Sequence, residues 1–197
     1  MLTRIILAGV VGGIAMFIWS TIAHTVLPLG EIGVREMHGE SAVIDALKTN
    51  LGQGEGLYLF PGLGAGRHPS REAKREAMSH MGDKLASGPS GFLVYHPRRP
   101  LNFARLLGVQ FLTELVEALL AVFLLAQTRL TTFGARIGFV TVVGILAAIA
   151  TNIPYWNWYG FPKRYTASYM FIEIVAFFVL GLVSALILKP ARQPTTP

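Results

Sequence analysis

The chain has no cysteine. That single absence excludes a disulfide framework, thiolate zinc sites, iron–sulfur clusters and cysteine nucleophiles. Charge is also scarce, at 14% of 197 residues, against about 25% in soluble domains. So little polar surface cannot coat a globule in water, and with 52% hydrophobic residues the chain reads as a membrane protein. Motifs for chemistry are missing too. No Glu-x-x-His or His-Glu-x-x-His spacing occurs, and His24 is the one histidine inside an apolar run. No metal site and no pair of haem ligands is therefore expected, and no cofactor is specified.

"PGLGAGRHPS" is glycine-rich but meets neither the phosphate-loop nor the dinucleotide-binding pattern. Arg67, His68 and the helix start at Ser70 could hold an anion; a flexible loop is the simpler reading. No Ser/His/Asp order suggests hydrolysis. The net charge of +6 does not point to nucleic acid, because the basic residues flank apolar runs rather than forming a stripe interleaved with aromatics.

What the sequence does have is four apolar stretches of the roughly 20 residues that a helix needs to cross a bilayer. They cover residues 5–27, about 103–126, about 133–153 and about 166–188. The first is too long for a signal peptide and ends without an A-x-A-like site, so an uncleaved helix is expected. The predicted fold is an all-α membrane protein: a four-helix transmembrane bundle with a small mixed α/β extramembrane insertion between helices one and two. Residues 1–28 hold the first span, 29–102 the insertion, 103–188 the other three spans, and 189–197 a disordered tail.

Within the insertion, "SAVIDALKTNL" fits a short amphipathic helix. "SREAKREAMSHMGDKLAS" predicts one helix N-capped by Ser70, with Ala73, Ala77, Met81 and Leu85 as a narrow apolar stripe. "GLYLFP" and "GFLVYHP" read as two short strands that pair. Arg4 and the short amino terminus favour cytoplasmic termini in the cell membrane, with 29–102 on the outer, periplasmic side.

"IPYWNWYGFP" gathers five rings, Tyr155, Trp156, Trp158, Tyr159 and Phe161, at the end of the third span. Amphipathic rings concentrate at headgroup depth, so an interfacial belt is expected, with Pro154 and Pro162 bracketing a turn. The alternative is the aromatic wall of a site.

In lipid, helices associate through small residues and interhelical hydrogen bonds. Inward faces are therefore expected along Gly9, Gly13, Met16, Ser20 and His24, and along Gln110, Glu114 and Glu117. The third span offers Gly134, Gly138, Thr141, Ile145, Ala148 and Asn152, and the fourth Thr166, Tyr169, Glu173 and Ser184. Close crossings are expected at the Gly9/Gly13 and Gly134/Gly138 pairs. These faces predict an intramembrane polar pocket of His24, Gln110, Glu114, Glu117, Asn152 and Glu173, opening towards the insertion. It would suit a proton relay or a quinone or lipid headgroup; the alternative is interhelical bonding that only fixes packing. With no catalytic constellation, the expected role is a non-catalytic accessory or structural subunit of a larger membrane complex. Its expected partners are the lipid bilayer and other membrane subunits or a second copy. Ion or small-molecule transport, or a quinone- or lipid-binding enzyme, are the alternatives.

Overall fold

The computed structural model describes residues 2–66 and 68–188. The expected tail at 189–197 and Arg67 of the candidate anion loop lie outside them. In chain order the elements are α1 (Leu2–Thr25), a 3-10 turn (Leu29–Glu31), α2 (Glu40–Leu51), β1 (Gly56–Phe60), α3 (Arg71–Ser79) and α4 (Met81–Ser87). Then follow β2 (Gly91–Tyr95), α5 (Phe103–Ala126), α6 (Phe133–Tyr159) and α7 (Lys163–Ile187). The chain divides into two compact units: Met1–Val34 with Asn102–Pro197, and Arg35–Leu101.

In the first unit α1, α5, α6 and α7 are each long and apolar enough to cross a membrane. This is a multi-pass architecture. α1 packs against both α5 and α7, and α7 against α6, while α5 and α6 meet little. Backbones approach closely where the sequence is small. A side chain at Gly13 would sit 2.9 Å from the Leu115 Cα, Gly9 faces Leu119, and Gly12 receives Leu180.

The expected crossing at Gly134 and Gly138 is not formed: both have open space around them. The close approach on α6 is instead at Gly144, which receives Phe177, while Gly181 of α7 lies against Ile137. α6 is turned by about 100°, one residue position, from its expected face. Arg136, Val140, Gly144 and Ala148 are buried, while Gly134, Gly138 and Ile145 are exposed. Arg136 is drawn inward because its Nε donates to the Leu130 carbonyl and its Nη1 to the Leu188 carbonyl at the end of α7, where a cation suits the helix dipole.

α6 also runs through Pro154 to Tyr159, so Pro154 does not open the turn as expected. Proline removes one backbone donor. In the preceding turn Asn152 Nδ2 donates to the Ala148 carbonyl at 3.0 Å and Thr151 Oγ1 to the Ala147 carbonyl at 2.9 Å. The helix ends at Gly160, whose φ of 70° is the left-handed conformation glycine adopts freely.

In the second unit β1 and β2 pair antiparallel, Gly56 opposite Tyr95 and Phe60 opposite Gly91. The Ser70 hydroxyl caps α3 by accepting from Ala73 N at 3.1 Å. The single helix expected there is two, broken at His80. Ser79 Oγ donates to the Glu76 carbonyl at 2.6 Å, competing with the helical backbone bonds at that turn.

Candidate functional site

The apolar core (Ala118, Val122, Leu125, Val140, Phe177, Leu180) fills the half of the bundle next to the α5–α6 turn. The other half, towards the α6–α7 turn, is polar. Its most buried polar residue is Glu114, 4% exposed on α5. Ser20 Oγ donates to Glu114 Oε1 across the α1–α5 seam at 2.6 Å, and Gln110 Nε2 donates to the same oxygen from one turn away at 2.7 Å. Glu114 Oε2 is buried with no hydrogen-bond partner.

A second node joins α6 to α7. Thr151 Oγ1 and Asn152 Nδ2 each donate to Glu173 Oε2 at 3.2 Å. Glu117, half-buried on α5, lies within electrostatic reach of both Glu173 and Glu114. Five of the six expected pocket residues therefore fall into two linked carboxylate nodes.

His24 stands apart. It is exposed, its Nδ1 lies 2.9 Å from the Ser20 carbonyl oxygen, and its ring meets Tyr169 edge-on at 5.9 Å. Among the described residues no group of three or more histidines and acids is placed to hold a metal ion.

Sequence reasoning placed Ser20 on the inward face of α1 but not as the partner of Glu114, and it missed Thr151 altogether. Both are hydroxyl residues beside a recognised polar position. Two further helix-to-helix bonds were unmarked: Trp19 Nε1 donates to the Ile172 carbonyl at 2.9 Å, and Ser168 Oγ to the Leu29 carbonyl at 2.7 Å.

Of the five-ring motif, Tyr155, Trp156, Trp158 and Tyr159 are exposed, Trp158 at 78%. Tyr155 and Phe161 turn to each other at 5.4 Å, and the row continues along α7 from Phe161 to Tyr165 (5.6 Å) and Tyr169 (4.3 Å). Tyr159 lies tilted against Tyr155 at 5.5 Å. Below these rings lies an open cleft of about 250 Å³ lined by Thr151, Asn152, Tyr155, Phe161, Tyr165 and Thr166. Compared with known proteins, the chain matches no family model, no curated protein and no solved structure.

Proposed function

We propose that the chain is a non-catalytic subunit of a larger membrane assembly, seated against a further membrane-spanning helix at the opening between α5 and α6. The observation that supports this is the position of Glu117. It is half-buried roughly 21 Å along α5, a helix that α6 covers little. A carboxylate turned to acyl chains at that depth costs about 3 kcal/mol, and Gln110, about two turns earlier on the same helix, is exposed. A partner helix laid into the opening would supply donors to both and gain small-residue packing, the two forces that hold helices together in lipid. We take the termini as cytoplasmic and residues 29–102 as external, on the strength of Arg4 ahead of α1.

Because the chain has no native cysteine, a cross-linker on Gln110→Cys tests the reading in native membranes. A cross-linked product with a second membrane protein that also co-purifies in mild detergent is expected. A chain that is extracted gently and stays uncross-linked would contradict it, and a product made only of copies of this chain would point to a lone oligomer.

One observation favours transport as a second reading: Glu117 lies within electrostatic reach of both Glu114 and Glu173, and Glu114 carries an unpartnered oxygen. Under it, Glu114→Gln and Glu173→Gln abolish a proton flux in vesicles, and an unchanged flux removes it.

A further inference from the structure

We propose that the cleft beneath the aromatic row binds an organic ammonium group, presented by a lipid headgroup or by a free amine. The proposal stands independently of the subunit reading. Both Asn152 amide hydrogens are committed, among the Ala148 carbonyl, Thr151 Oγ1 and Glu173 Oε2. The single Thr151 hydroxyl hydrogen is shared between the Ala147 carbonyl and Glu173 Oε2.

Asn152 and Thr151 are therefore spent as donors and remain acceptors. A ligand that brings hydrogens or positive charge is matched by these two side chains. Glu173 stands one hydrogen bond behind Thr151 and Asn152 and supplies negative charge. No Lys or Arg lines the cleft.

The walls point the same way. Tyr155, Phe161 and Tyr165 contribute three rings in a continuous row, their planes inclined at 55° and 53° to one another. Inclined electron-rich faces beside an anion are how proteins hold ammonium ligands. The volume, about 250 Å³, is below the roughly 300–1,000 Å³ of drug-sized pockets and suits a small headgroup. The exposed Trp156 and Trp158 beside it mark headgroup depth, so a phospholipid amine or a soluble amine would both reach it.

The test uses the full chain in nanodiscs of phosphatidylglycerol alone, titrated with choline and with ethanolamine by calorimetry. A parallel arm asks by native mass spectrometry whether phosphatidylethanolamine or phosphatidylcholine is retained through delipidation. Saturable binding of the free amine supports a soluble ligand. Retained lipid that added choline displaces supports a headgroup.

In either arm Glu173→Gln and Tyr165→Leu should weaken binding at least tenfold, and Tyr165→Phe, which keeps the ring face, should stay within about threefold. Asp45→Asn, the same loss of one charge on exposed α2, should change nothing. Variants are compared only where circular dichroism shows wild-type helix content, and Tyr165→Phe guards against a folding artefact. The absence of both amine binding and lipid retention in the wild type overturns the proposal. So does a Glu173→Gln variant that binds as tightly as wild type.

Discussion

Ser20 and Gln110 both donate to one oxygen of Glu114, so a polar contact in the bundle is concentrated on a single atom. Interhelical hydrogen bonds in membranes average about 0.6 kcal/mol and reach about 1.7. Ser20→Ala should therefore cost roughly 0.5–1.5 kcal/mol in reversible unfolding in micelles. A loss indistinguishable from zero would mean that the α1–α5 bond does not form. Glu114 was legible in the sequence because an acid within an apolar run is costly and must turn inward. Its donor was harder to read. A hydroxyl on a membrane helix ordinarily bonds its own preceding turn, as Thr21 does to Phe17 and Ser184 to Leu180. Nothing local in the sequence marks Ser20 as the one that reaches across.

Among helices, the first-span face emerged directly from the sequence, because Gly9, Gly13, Met16 and Ser20 all recur at helical spacing and all are buried. α6 misled by the same logic. Its glycines at 134 and 138 are small but unopposed, and in lipid an apolar helix shows no hydrophobic contrast between its packed face and its exposed one. Only the neighbour decides, and here Phe177 and the carbonyl capped by Arg136 select the Gly144 face. The consequence is a sharp pair of substitutions. Gly144→Ala places a methyl against the Phe177 side chain and should cost about 1–3 kcal/mol; Gly138→Ala, in open space, should be neutral or slightly stabilising. Thermal unfolding of the two proteins side by side checks this, and equal melting would return the choice of face to Gly138. Pro154 is expected to break the helix because proline usually does, yet α6 continues through it to Tyr159.

For the molecule as a whole, the four spans and the pairing of β1 with β2 were readable from run length and from glycine and proline punctuation. The Arg35–Leu101 unit carries little core: among its described residues Tyr95 alone is buried, and its hydroxyl donates to the Gly52 carbonyl at 3.0 Å. In the other unit the four apolar helices turn Glu114 and the small residues of α1 inward and leave large apolar side chains outside, as a bundle solvated by acyl chains would. Single cysteines can be introduced without removing a native one, so spin labels can report oxygen accessibility position by position in reconstituted bilayers. Leu112, Val116, Leu120 and Leu146, all more than half exposed, should be highly accessible, while Ala118, Val122, Val140 and Leu180, at 0% exposure, should be protected. Equal accessibility at Val116 and Ala118 on the same helix would contradict the bundle and the polar layer it encloses.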